Sequence, residues 1–64
     1  MLPHQQRVVD EKRELDEKIE KLMQFLTTGL FDGLDSGEKS RLRIQLAAMQ
    51  TYSTALGERI AHFG

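Results

Sequence analysis

Cysteine is absent from this 64-residue chain, so neither a disulfide nor a thiolate-bound metal can staple its fold. A chain this short also removes a smaller fraction of its surface from water on folding than a larger domain does. Its stability must therefore come from well-packed helices or from association with another chain. The lack of cysteine fits a reducing cytoplasm.

Long apolar runs are missing as well. No uncharged apolar stretch approaches the roughly 18 residues of a membrane-spanning helix, and residues 1–7 hold no signal-peptide core. We therefore expect neither membrane insertion nor export by that route. A basic excess is also absent, since nine Lys and Arg stand against ten Asp and Glu. This balance disfavours binding to nucleic-acid phosphates, although it leaves a nucleic-acid-binding accessory protein as an alternative.

Helix breakers are absent between Pro3 and Gly29, which predicts one long helix over 3–28, because proline suits the first helical turn. Apolar residues recur three and four apart and form one stripe of this helix. The stripe residues are Val8, Leu15, Ile19, Leu22 and Leu26. Lys12 occupies a stripe position, and we expect its methylene stem to lie along the stripe with its ammonium group in water.

A connector is predicted over 29–35, where glycine and aspartate supply turn chemistry. It contains three large apolar residues, Leu30, Phe31 and Leu34. Such residues are poor choices for a free loop. We therefore expect all three to fold back and cover the end of the structure.

A second helix is predicted over 36–62, because Asp35 and Glu38 have the spacing of an N-cap and its capping-box partner. Its apolar stripe is Leu42, Leu46, Met49, Leu56, Ile60 and Phe63. Ser53 is the stripe position that is not apolar, and Gly57 indicates either close approach of another backbone or a tolerated weak residue. Two long helices joined by a short connector must lie antiparallel. The predicted fold is an all-α, two-helix hairpin forming a single domain over 1–64.

Some apolar residues lie beside the two stripes and would stay partly exposed in a lone hairpin. They are Val9, Met23, Phe25, Ile44 and Tyr52. An exposed apolar patch on a small protein usually marks an interface. We therefore expect a homodimer or higher oligomer, most simply two hairpins forming a four-helix bundle. The alternative is that these residues only widen each stripe to the roughly 100° normal for a globular helix.

Lys39, Arg41 and Arg43 begin the second helix, where the helix dipole disfavours positive charge. One interpretation is an anion site for a nucleotide or a nucleic-acid backbone, combining the basic side chains with the helix N-terminal amides. The other is that Asp35 and Glu38 already neutralise this helix end and leave the bases to solvent or to a partner chain.

Four apolar residues are candidates for binding a partner protein: Phe25, Phe31, Ile44 and Tyr52. Tyr52 lies between two stripe residues. It either packs as core with its hydroxyl group reaching solvent or anchors a partner, as interface aromatics often do.

No nucleotide-binding glycine loop, metalloprotease helix or cysteine cluster is present, so we expect no enzyme and no cofactor. The carboxylates of the first helix alternate with Lys and Arg on its wet side, whereas general acid–base chemistry needs a sheltered carboxylate. A metal site could be drawn from His4, His62 and Glu58. Both histidines lie near chain ends, and we interpret them as surface residues.

Residues of both helices resemble those of small phage and prophage proteins grouped as relatives of a crAss-like phage protein. The residues concerned are Gln6-Arg7-Val8-Val9-Asp10-Glu11-Lys12, Glu14-Leu15-Asp16-Glu17-Lys18-Ile19-Glu20-Lys21-Leu22, Phe25, Gln45, Met49, Tyr52-Ser53, Leu56 and Glu58-Arg59-Ile60. The resemblance implies a phage accessory protein that acts in the cytoplasm of an infected or lysogenic bacterial host. Small helical phage proteins of this general kind include inhibitors of host proteins and proteins that sequester the nucleotide signals of bacterial defence.

Three functional hypotheses follow. The first is a phage-encoded protein that binds and inhibits a host regulator or defence component through its surplus apolar and aromatic residues. The second is an oligomeric sponge, in which the basic residues that begin the second helix hold a nucleotide defence signal at a subunit junction. The third is a nucleic-acid-binding accessory protein, which the charge balance disfavours.

Overall fold

The computed structural model describes residues 1–63 and contains three helices: α1 (Pro3–Phe25), α2 (Gly29–Asp32) and α3 (Ser36–Ala61). No strand occurs within this described range. Helices α1 and α3 pack against each other along their lengths, so the predicted all-α hairpin is confirmed. None of the helices in residues 1–63 has the length and apolar character needed to cross a membrane.

Helix α1 ends at Phe25, three residues before the predicted end at 28, because two threonines compete for its last carbonyls. The hydroxyl group of Thr27 donates to the Gln24 carbonyl, and that of Thr28 donates to the Phe25 carbonyl, each at 2.7 Å. Hydroxyl side chains that bond nearby backbone offer the chain an alternative to continued helix. The Thr28 side chain then also accepts from the Phe31 N–H at 3.3 Å and caps α2.

The connector contains a helical turn, α2, which the sequence did not predict. Phe31 is 3% exposed and Leu34 is half-buried, as expected for residues that cover the hairpin end. The same expectation is wrong for Leu30, which is 76% exposed. In a helical turn successive side chains point about 100° apart, so burying Phe31 turns its neighbour Leu30 toward solvent.

The N-cap predicted at Asp35 is confirmed, because its Oδ1 accepts from the Glu38 N–H at 2.6 Å. The Glu38 carboxylate does not complete a capping box within the described residues. It accepts instead from the Arg41 Nε at 3.0 Å. At its other end α3 reaches Ala61, one residue short of the predicted end at 62.

The core is the seam between α1 and α3, where the two predicted apolar stripes meet. Val8, Ile19 and Leu56 are buried, and Leu56 is fully so. Every other predicted stripe residue with an apolar side chain is half-buried. Only one layer of side chains separates the helices, so the hairpin buries little surface by itself.

Candidate functional site

The basic residues that begin α3 point in two different directions. Lys39 and Arg43 lie one turn apart and share a face, whereas Arg41 lies between them in sequence and points away, because residues two apart do not share a helix face. The predicted three-residue anion site is therefore divided in two. The two parts have different electrostatic surroundings.

Lys39 and Arg43 both lie over the ring of Phe31. The Lys39 Nζ is 5.8 Å from the ring centroid and the Arg43 Cζ is 5.1 Å from it, within the range of cation–π attraction. Phe25 fixes the ring from another side by an edge-on contact, with centroids 6.1 Å apart. The Phe31 ring thus contacts two cations at the connector end of the hairpin.

The charges of Lys39 and Arg43 are not matched locally. Within residues 1–63 neither side chain has a carboxylate oxygen within 4.0 Å. Two like charges placed over one ring repel each other, and an anion between them would relieve that repulsion. We call these two residues the Lys39–Arg43 pair.

Arg41 is already matched by acidic side chains of its own helix end. Its Nε lies 3.0 Å from Glu38 Oε1, and its second terminal nitrogen lies 4.0 Å from Asp35 Oδ1. Because the Asp35 carboxylate occupies the N-terminus of α3, an anion would meet negative charge there. The unmatched positive charge at this end of the hairpin therefore lies at the side chains of the Lys39–Arg43 pair and not at the N-terminal amides of α3.

The four residues predicted to bind a partner protein do not form one patch. Phe25 and Phe31 contact each other, and Phe31 is buried, so neither presents a free ring. Ile44 and Tyr52 are 67% and 45% exposed and lie two helical turns apart on α3. The Tyr52 hydroxyl group donates to the Glu11 carboxylate across the hairpin, and this hydrogen bond raises the pKa of the phenol above its ordinary value.

A polar cluster lies at the middle of the seam, which we call the polar seam and define as Lys12, Asp16 and Ser53. The Lys12 Nζ donates to Asp16 Oδ2 at 2.8 Å and to Ser53 Oγ at 3.1 Å, and the Ser53 hydroxyl group donates to the other Asp16 oxygen. The hydrogen bonds from Lys12 and then Ser53 hold the pKa of Asp16 below its ordinary value. Lys12 and Ser53, the two stripe positions that are not apolar, therefore contact each other across the hairpin.

Gly57 leaves room for this cluster. A Cβ atom placed on Gly57 would lie 3.2 Å from the Lys12 Cε. Gly57 is therefore approached by the side chain of Lys12. The sequence had suggested close approach of another backbone. The Lys12 side chain crosses the seam over Gly57. Its ammonium group, which we expect from the sequence to lie in water, instead donates to Asp16 and Ser53.

Two shallow grooves of about 420 and 470 Å³ run along one side of α1. They share Asp16 and Glu20 and are open to solvent. Their apolar lining residues are Val9, Ile19, Met23 and Ile60. A ligand site normally surrounds most of its ligand. These grooves are too open to solvent to do so.

The structure places the two histidines apart from any metal-ligand set. The His62 Nδ1 lies 2.8 Å from the Glu58 carbonyl oxygen of its own helix. Residues 1–63 contain no group of three His, Asp or Glu side chains that could hold a metal ion.

The family model described as Sequestin matches residues 2–62 of the chain. This range includes both long helices and the connector. No curated protein and no solved structure matches the chain. The resemblance to relatives of a crAss-like phage protein stays a prediction, since none of these comparisons supports it.

Proposed function

This chain belongs to the Sequestin family, and from that premise we propose that it acts by sequestration. In this proposal it binds a small anionic molecule of the nucleotide class and holds it away from other proteins. The family name supports retention of a ligand. The Lys39–Arg43 pair supports a ligand that carries phosphate.

The observation that carries the proposal is the unmatched charge of this pair. A phosphate group placed between Lys39 and Arg43 would accept charge-assisted hydrogen bonds from both, and such bonds are roughly twice as strong as neutral ones. Phe31 contributes by orienting both cations through its ring. Leu30, exposed next to it in α2, offers an apolar surface for a base.

Sequestration requires binding without chemistry, which is consistent with the side chains available. The carboxylate with a lowered pKa, Asp16, is tied to Lys12 and Ser53 in the polar seam. A general acid or base needs a pKa near the working pH. We therefore assign no reaction to the protein and no cofactor.

We propose that the active form is a homodimer or higher oligomer, because the lone hairpin leaves the side chains of Ile44 and Tyr52 exposed. We also propose a phage origin and action in the cytoplasm of the bacterial host, where nucleotide signals act.

The second candidate function is inhibition of a host protein. The exposure of Ile44 and Tyr52 favours it, because exposed apolar and aromatic side chains anchor protein interfaces. In this case a host protein captured by the chain should be lost when Tyr52→Ala is used as the bait.

The test is a thermal-shift screen against linear and cyclic nucleotides. A ligand at 100 times its dissociation constant stabilises the native state by about 2.7 kcal/mol, which raises the Tm of a domain this small by at least about 10 °C. The double variant Lys39→Ala/Arg43→Ala should weaken binding at least tenfold, because it removes both unmatched cations.

Arg41→Ala is the matched control, since it removes one positive charge of the same helix end that is already paired with Glu38. It should bind nucleotide nearly as well as the unmodified chain. The proposal is overturned if no nucleotide raises the Tm, or if Arg41→Ala weakens binding as much as the double variant does.

A further inference from the structure

Helix α3 has a second apolar side, which faces away from α1. We call it the outer face of α3 and define it as Ile44, Ala47, Ala48, Thr51 and Ala55. At 100° per residue these positions lie opposite the seam residues Met49 and Leu56. All five are exposed in the hairpin, and Ile44 is 67% so.

The outer face is also free of charge. From Ile44 to Gly57, over four helical turns, α3 contains no Lys, Arg, Asp or Glu. Helix α1 differs, because its side away from the seam has charged residues along its whole length. A helix that is apolar on opposite sides is normally covered on both, and α1 covers only one side of α3.

The accessible surface area of the hairpin indicates how much more surface it exposes than a compact protein of the same mass. The hairpin exposes 4757 Å², whereas a compact protein of 7.3 kDa exposes about 4,200 Å². Its radius of gyration is 14.8 Å, against about 11 Å for a compact chain of this length. The excess of about 600 Å² is close to what each partner buries in a small stable interface.

We propose that the outer face of α3 packs against the same face of a second copy. A two-fold contact brings each patch against itself, so a patch with net charge would repel its own copy, and this one has no charge to do so. The three alanines let the two α3 helices approach to the short end of the usual 8–10 Å range. The result is a four-helix bundle with both α3 helices inside and both α1 helices outside.

This inference rests on the self-association in the proposed function and is independent of the ligand. Lys39 and Arg43 lie over the Phe31 ring and precede Ile44, the first outer-face residue of α3, so the contact leaves both cations free. The nucleotide and the second copy would therefore occupy different surfaces of α3.

The first experiment measures mass by light scattering at micromolar concentration. The unmodified chain should give twice the 7.3 kDa of one chain, and Ile44→Asp should give a single chain with unchanged helical circular dichroism. Leu30→Asp is the matched control, because Leu30 is even more exposed but lies in α2, away from the outer face. It should leave the mass doubled.

The second experiment uses the absence of native cysteine and does not depend on how Ile44→Asp folds. Ala48→Cys or Thr51→Cys should form an intermolecular disulfide on mild oxidation, whereas Glu14→Cys on α1 should not. A single-chain mass for the unmodified protein overturns the inference. Cross-linking from Glu14→Cys but from neither α3 position overturns it equally. Loss of nucleotide binding in a protein that still dimerises would refute only the proposed function.

Discussion

Removing the Ser53 hydroxyl group should destabilise the hairpin measurably, because this group joins the two helices at the middle of the seam. Ser53 is only 8% exposed and hydrogen-bonds to both Lys12 and Asp16. Each such bond contributes about 0.5–1.5 kcal/mol net. In Ser53→Ala the other two groups keep their own contact and are reached by water, so we expect a loss of about 1 kcal/mol in total.

That loss is a large share of the stability of so small a protein. At about 0.05–0.15 kcal/mol per residue, a chain of this length is stable by roughly 3–10 kcal/mol. A loss of about 1 kcal/mol should lower the Tm by about 4–8 °C. The assay is urea unfolding followed by circular dichroism, repeated at several protein concentrations because self-association would add to the apparent stability.

A double-mutant cycle separates the hydrogen bond from general packing. Lys12→Met keeps an apolar stem of similar shape over Gly57 and removes the ammonium group. We expect Lys12→Met and Ser53→Ala to be coupled by at least about 0.5 kcal/mol, as residues in contact usually are. The reasoning is refuted if Ser53→Ala is neutral or stabilising and the coupling is zero.

Two further predictions concern stability. Leu56→Ala removes the fully buried side chain at the seam and should lower the free energy of unfolding, measured by urea titration, by about 2.7–5.0 kcal/mol; a cost below about 1 kcal/mol would contradict the packing described. Asp16 has a lowered pKa in the folded state, so its contribution is present above its unfolded value of 3.8 and is lost as the pH falls through the lower folded value. Unfolding midpoints measured between pH 6 and pH 2 should therefore decline less for Asp16→Asn than for the unmodified chain, and parallel declines would count against this assignment.

The fold follows from local signals in the sequence. The stripe from Val8 to Leu26, the absence of breakers before Gly29 and the cap at Asp35 each act within a few residues, so their consequences can be predicted without knowing the rest of the chain. The same local periodicity explains why the buried residues Val8, Ile19 and Leu56 all belong to the predicted stripes. Membership of the Sequestin family came from a match over residues 2–62 and not from a short motif.

The pairing of side chains across the hairpin was decided only by the tertiary structure. Lys12 and Ser53 lie 41 residues apart, and whether they meet depends on how the connector sets the register of α1 against α3. The helical turn α2 does this, and its formation turns Phe31 inward beneath Lys39 and Arg43. A basic cluster that spans only five residues of the sequence, 39–43, thus becomes an unmatched pair and a matched arginine, because helix geometry turns alternate residues in different directions.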